Sequence, residues 1–236
     1  MSQTEIRVAS YNIRKARGLD QMRRPERTLE VINQLNADIV VLQEADKRLG
    51  VRKPAIPRAM IDRETDFQVL DASSNGVSLG WHGNAILIRD PSLVLRVQRI
   101  VLSGLEPRGA VRIDLDMGNG LTIVAAHLGL LRRDRQTQLS ELNKMTSDAV
   151  NTIIAGDFNE WSQTKGLEPL SNRFQTYSPG QTFHARRPVA GLDRFALSGE
   201  IEMRDAGVAQ GNLAKKASDH LPIWTDISLN MASTTY

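Results

Sequence analysis

Residues 110–127 read AVRIDLDMGNGLTIVAAH, and they decide the fold class. In the first half Val111, Ile113 and Leu115 alternate with Arg112, Asp114 and Asp116, so one face is apolar and the other wet. A period of two belongs to a strand with one buried face. Met117-Gly118-Asn119-Gly120 then reverses the chain, and Asn-Gly between two such runs is a strong hairpin signal. The returning run, Leu121 to Ala126, is apolar except at Thr122, and it stops on His127. A rigid apolar strand that delivers a polar side chain at its end is a pattern found again along the rest of the chain.

Read outward in the same way, the sequence predicts strands at 6–12, 38–43, 67–70, 84–88, 94–101, 110–116, 121–127, 152–157, 191–197, 200–205 and 221–227. Helices are expected at 25–35, where Pro25 suits a first turn and Leu29, Ile32 and Leu35 share a side, and at 133–147, where Leu139, Leu142 and Met145 recur at three-residue steps. No Pro/Gly/Ser-rich linker, internal repeat or low-complexity tract interrupts the chain, so one α/β domain over 1–236 is the expectation.

Composition narrows the chemistry. Hydrophobic content of 41% with 24% charged residues excludes a mainly disordered chain. The absence of cysteine removes disulfides, thiolate metal sites and cysteine nucleophiles, which leaves oxygen and imidazole as the only metal donors. The start MSQTEIRVAS lacks a basic stretch followed by an apolar run, and nowhere do 18 apolar residues occur in succession. No transmembrane segment and a cytoplasmic location are therefore expected. The net charge of +3 matters less than where the charges fall.

Six places put polar residues at strand ends, where a rigid frame can aim them. Asn12 ends the first strand and Gln43-Glu44 the second; His127 ends the run from Leu121; Gly156-Asp157-Phe158-Asn159 follows Ile153-Ile154-Ala155; Asp193 opens another strand; Ser218-Asp219-His220 precedes the last. Glu44, Asp157, Asp193 and Asp219 supply carboxylates, Asn12 and Asn159 amides, and His127 and His220 imidazoles. Such a hard-oxygen set suits Mg²⁺ or Mn²⁺ better than zinc, and no close His-x-x-x-His pair is present.

Ser10-Tyr11-Asn12-Ile13, Leu42-Gln43-Glu44, Gly83-Asn84-Ala85-Ile86, Ala126-His127-Leu128, Ala155-Gly156-Asp157-Phe158-Asn159, Leu192-Asp193-Arg194 and Ser218-Asp219-His220-Leu221-Pro222 occur in one order. In that order the chain resembles the endonuclease/exonuclease/phosphatase superfamily, from about residue 8 to residue 224. Each short piece is weak alone; the ordered set ending in Ser-Asp-His is specific. The resemblance implies a four-layer αββα sandwich of two packed mixed β-sheets flanked by helices. It implies Glu44 as a direct metal ligand, with Asn12 and Asp219 contributing to the same site or its water shell. It also implies Asp157, with Asn159 beside it, as the group that orients or deprotonates water, His220 held by Asp193 as a phosphate contact or acid/base, and His127 across the phosphate. Asn84 is expected near the phosphate, with Arg14, Arg108 and Arg135 as further phosphate contacts.

Two departures limit what carries over. Arg194 follows Asp193, where abasic-site endonucleases usually have an aromatic residue, and Arg14 stands at the histidine of an Asn-Ile-His-Lys-Gly pattern common in small bacterial members. Basic residues adjoin four of the strand ends: Arg14, Lys15 and Arg17; Arg132, Arg133 and Arg135; Arg186 and Arg187; Lys215 and Lys216. If these segments converge, the substrate carries more negative charge than one phosphodiester. The expectation is thus a phosphoesterase acting on a polyanion such as nucleic acid. The alternatives are a phospholipid head-group or small-molecule phosphoesterase and a non-catalytic binding module. No protein partner follows from the sequence.

Overall fold

The computed structural model describes residues 3–48 and 50–230; residues 1–2, 49 and 231–236, part of the expected 1–236 domain, lie outside the described residues. One sheet takes β1 (Gln3–Asn12), β2 (Ile39–Gln43), β3 (Gln68–Val69) and β4 (Ala85–Ile88), and closes with β11 (Glu202–Val208) and β12 (Ile223–Asn230). The other takes β5 (Val94–Leu102), β6 (Arg108–Leu115), β7 (Leu121–His127), β8 (Asn151–Asp157), β9 (Gln175–Tyr177) and β10 (Asp193–Ser198). Their spatial orders are β11-β12-β1-β2-β4-β3 and β5-β6-β7-β8-β10-β9. The helices are α1 (Pro25–Gln34), α2 (Arg58–Glu64), α3 (Arg132–Met145) and α4 (Ala214–Ala217).

Three apolar layers hold four structural layers together. Val8, Val41, Ile86 and Ile223 of the first sheet meet Val111, Ile123, Ile153 and Phe195 of the second in the central layer. On the outer face of the first sheet Tyr11, Leu42 and Leu87 pack with Leu29 and Ile32 of α1 and Ile61 of α2. On the outer face of the second, Val124, Ile154 and Ala196 pack with Leu139 and Leu142 of α3. The result is the expected αββα sandwich. It also explains the continuous apolar runs: β2, β7 and β8 are buried on both faces, so their sequences need no polar alternation. Burying one such Leu or Ile contributes roughly 1.5–3 kcal/mol.

The sheets share one layout. In each, a parallel pair stands near the middle, β1 with β2 and β7 with β8, joined by a helical crossover through α1 or α3. Register then sets what lies side by side at the strand ends: Asn12 opposite Gln43, His127 opposite Asp157, and Asp157 opposite Asp193 of antiparallel β10. Gly156 makes the close approach possible. Its φ is +153°, and a Cβ there would lie 1.8 Å from the carbonyl oxygen of Ala126.

The structure adds elements that the periodicity does not announce. Helix α2 buries only Ile61, so it shows no apolar stripe to read. Strand β9 has three residues and exists through its pairing with β10, and α4 is one turn. Strand β11 lies later than the expected 200–205 and carries a register shift between Met203 and Asp205, which breaks the alternation.

Candidate active site

Asp157, at the end of β8, is the hub where strand ends from both sheets meet. Its Oδ2 accepts a hydrogen bond from Asn12 Nδ2 at 3.0 Å and lies 3.4 Å from His127 Nε2 and 3.6 Å from His220 Nε2. Its Oδ1 accepts the backbone N–H of Asn159 at 2.9 Å, while Asn159 Nδ2 donates to the carbonyl of Leu128. The far side of the His220 ring is held as well: Nδ1 lies 2.8 Å from Asp193 Oδ2, which also accepts from Thr182 Oγ1 at 2.5 Å. Phe183 packs against the same ring, centroids 5.1 Å apart. Ser218 Oγ donates to the carbonyl of Asn12 at 2.7 Å and accepts from the His220 N–H, tying the last loop to β1.

The carboxylates and imidazoles at the centre of this site are buried. Asp157 is 1% exposed and Asp193 0%, with His127 and His220 at 7% and 6%. The two imidazoles nevertheless differ in charge. Burial, with Arg108 and Lys15 nearby, pushes His127 down to about 3 against the pull of Asp157, so its ring is neutral. Burial would depress His220 as well, but the carboxylates of Asp193 and Asp157 outweigh it and hold that ring up at about 10. A carboxylate between a neutral and a charged imidazole can take a proton from water, while the charged ring can donate to negative charge that develops beside it.

Glu44 and Asp219 stand at the open side of this cluster, their side chains 27% and 23% exposed. Each already faces a cation: Lys15 Nζ pairs with Glu44 Oε2, and Arg14 Nε lies 3.2 Å from Asp219 Oδ2. Glu44 has a left-handed backbone, φ +52°, an arrangement that costs on the order of 1–3 kcal/mol in a non-glycine residue and gathers at functional sites. Within the buried cluster, ligand atoms of Asp157, Asp193 and His220 lie within 4.8 Å of one another, and Asp193 Oδ1 is buried with no partner. The donors are thus oxygens and imidazole only, a set that fits a hard divalent cation.

The phosphate contacts expected from the sequence scatter more. Arg14 reaches the cluster through Asp219. Arg108 lines a cavity of about 400 Å³ that also touches Glu44, Lys15 and His127. Asn84 is 0% exposed and donates to the carbonyl of Gly109, bridging β4 to β6 across the sandwich. Arg135 is not brought to the cluster: it is buried on α3, bonded to Glu160 Oε2 at 2.8 Å and to the carbonyl of Leu130 at 2.6 Å. Arg194 is buried too, donating to the carbonyls of Glu160 and Ser162. Thr182 and Phe183 carry no signal in the sequence, because a loop threonine or phenylalanine gives none until its neighbour in space is known.

Residues 9–220 match the model of the Endonuclease/Exonuclease/phosphatase family. The uncharacterized protein YbhP of Escherichia coli K12 is 30% identical over 164 residues, a match that spans 64% of this chain and 64% of YbhP. A Bacteroides thetaiotaomicron family member superposes with a TM-score of 0.76 at 15% identity, covering 98% of this chain and 100% of that one. The D. rerio TDP2 structure complexed with a single-strand DNA product gives 0.68 at 16% identity, over 95% and 99%. No described helix is long and apolar enough to cross a membrane. The chain belongs to the endonuclease/exonuclease/phosphatase family, whose members are hydrolases acting on phosphoester bonds.

Proposed function

We propose that the chain is a divalent-metal-dependent phosphodiesterase acting on a polyanionic substrate, nucleic acid foremost. The observation that supports this best is the meeting of Asn12, His127, Asp157 and His220 around one carboxylate oxygen, beside the half-buried carboxylates of Glu44 and Asp219. Glu44, with Asn12 and Asp219, would hold Mg²⁺ or Mn²⁺, which when bound supplies positive charge to a phosphoryl oxygen. Asp157, its carboxylate fixed by Asn12 and Asn159, orients water and takes its proton. Neutral His127 lies across the phosphate, and His220, aligned by Asp193, donates to a phosphoryl oxygen. Arg14 and Arg108 add charge at the rim. A similar structure complexed with a single-strand DNA product favours nucleic acid among the polyanions.

A phospholipid head group is the second reading, favoured by the exposed Leu130, Leu131 and Trp161, which follow His127 and Asn159 by a few residues. Hydrolysis of bis-p-nitrophenyl phosphate, single-stranded DNA and phospholipid vesicles with Mg²⁺ or Mn²⁺ tests both. Metal-dependent cleavage of diester and DNA, lost in Glu44→Ala and His220→Ala, is expected. Activity that survives both substitutions overturns the assignment, and cleavage of lipid alone selects the second reading.

A further inference from the structure

We propose that the cavity beside His127 is a subsite for a second phosphate group of the substrate, with Arg52 and Arg108 as its anion-binding residues. This rests on the phosphoesterase reading of the site and names what else its substrate must carry. The cavity, about 400 Å³, opens from Glu44 and His127 and extends to Arg48, Arg52 and His82, so a molecule whose phosphate sits in the cluster reaches into it.

Its charges do not cancel. Glu44 is paired with Lys15, and Glu106 is shared between Arg108 at 2.7 Å and Arg48 at 3.3 Å. The remaining carboxylate, Asp46, turns Oδ1 inward to accept the backbone N–H of Leu79. Arg52 has no hydrogen bond or ion pair to any described residue, and Asp46 feels its charge only at longer range. Arg108 is 7% exposed, and its Nε is buried with no acceptor. Arg27, Arg135 and Arg194 share that unmet Nε, and of the four only Arg108 lines the cavity, where a ligand oxygen can reach its guanidinium.

The backbone gives an independent sign. Lys15, Glu44, Arg52 and His82, all lining this cavity, have φ of +57°, +52°, +50° and +50°. Non-glycine residues rarely adopt that conformation, and four around one cavity mark a wall shaped for contact. Gly83, at φ +83°, sits against Glu44 and lets the two loops close on each other.

The test measures binding of adenosine 3′,5′-bisphosphate and of adenosine 5′-monophosphate to the full chain by calorimetry. The wild type is expected to prefer the bisphosphate at least about tenfold, a typical return for one charge-assisted anion contact. In Arg52→Gln and Arg108→Gln that ratio falls towards one, while Arg96→Gln, at the far end of the edge strand β5, keeps it. Equal affinities in the wild type, or a ratio retained in both cavity variants, overturn the subsite. Competition by an eight-residue oligothymidylate assigns the second phosphate to a polynucleotide and competition by an inositol bisphosphate to a small head group; competition by neither also overturns it. Hydrolysis of bis-p-nitrophenyl phosphate, which has no second phosphate, is followed in parallel. A chain that prefers the bisphosphate but cleaves no diester loses the reaction reading and keeps the subsite; the opposite pair of results does the reverse.

Discussion

Asn12 and Asp157 join the two sheets through their side chains: Asn12 Nδ2, at the end of β1, donates to Asp157 Oδ2, at the end of β8, over 3.0 Å. Both residues are almost completely buried, so no water replaces the bond. Removing the donor leaves a buried carboxylate short of one partner and frees it to rotate towards either imidazole. On the proposed mechanism, a misplacement of about 1 Å in the carboxylate that orients water lowers turnover by about a hundredfold.

Asn12→Ala is therefore expected to lower kcat on bis-p-nitrophenyl phosphate by about 10²-fold. It is also expected to destabilise the fold by about 1–3 kcal/mol, the cost of an unsatisfied buried polar group. Steady-state kinetics with urea denaturation checks both. Full kcat in a folded variant would mean that Asp157 needs no such restraint.

Asp193 gives a different expectation, because its contact is with the ring that faces Asp157 rather than with Asp157 itself. Its Oδ2 fixes which His220 nitrogen points at the cluster. Asp193→Asn preserves shape but removes a charge that keeps His220 protonated, and an N–H presented to Nδ1 then favours the neutral ring in the wrong tautomer. A fall in kcat of about 10²–10⁴-fold with KM little changed is expected, as in other carboxylate–histidine pairs. Nitrogen-edited NMR of the imidazole reads the tautomer directly; an unchanged tautomer with an unchanged rate would remove Asp193 from the mechanism.

The contrast between Asp157 and Arg135 shows what a sequence can carry. Strand β7 is found at its expected bounds, Leu121–His127, because an apolar run between an Asn-Gly turn and a polar terminus is a local signal. The polar strand ends are local too, and six separate segments place Asn12, Glu44, His127, Asp157, Asp193 and His220 in the sequence before their meeting is known. What is not local is the partner of a charge. Arg135 lies beside basic neighbours that suggest phosphate, yet its partner is Glu160, 25 residues on, and their burial together is decided by how α3 lies on the second sheet. Asn84 likewise is expected near the phosphate, and only the packing of two sheets gives it Gly109 as a partner.

Gly156 carries a fold prediction. With φ at +153° and the Ala126 carbonyl oxygen 1.8 Å from where a Cβ would stand, alanine there must push β8 away from β7 at the point where His127 and Asp157 are aligned. Gly156→Ala is expected to lose about 3 kcal/mol or more, a drop of roughly 6–12 °C in Tm for a chain of this size. A thermal melt decides it, and a Tm within about 2 °C of the wild type would show that the pair of strands tolerates the separation.

Acid sensitivity should come in part from the outer face of the second sheet. Arg112, 5% exposed, donates to Asp114 Oδ1 at 2.8 Å, to both oxygens of Asp148 and to the carbonyl of Met145. Burial would raise the Asp114 pKa, but its hydrogen bonds from Arg112 and Thr122 outweigh that and hold it below the ordinary 3.8. A folded pKa below the unfolded one means stabilisation that is complete above 3.8 and disappears as pH falls through the folded value. Arg112→Met removes that bond while Thr122 Oγ1 and Arg96 Nε, 2.8 and 2.7 Å from the Asp114 oxygens, still oppose burial, so the depression of the Asp114 pKa shrinks. Asp114 is partly exposed, so the deficit at pH 7 is on the order of 2 kcal/mol, less than a fully buried pair would give. Urea midpoints at pH 7 and pH 3 should show the deficit shrinking in acid to what the Met145 carbonyl and lost packing account for. A deficit of the same size at both pH values would assign the whole effect to those uncharged contacts and none to Asp114.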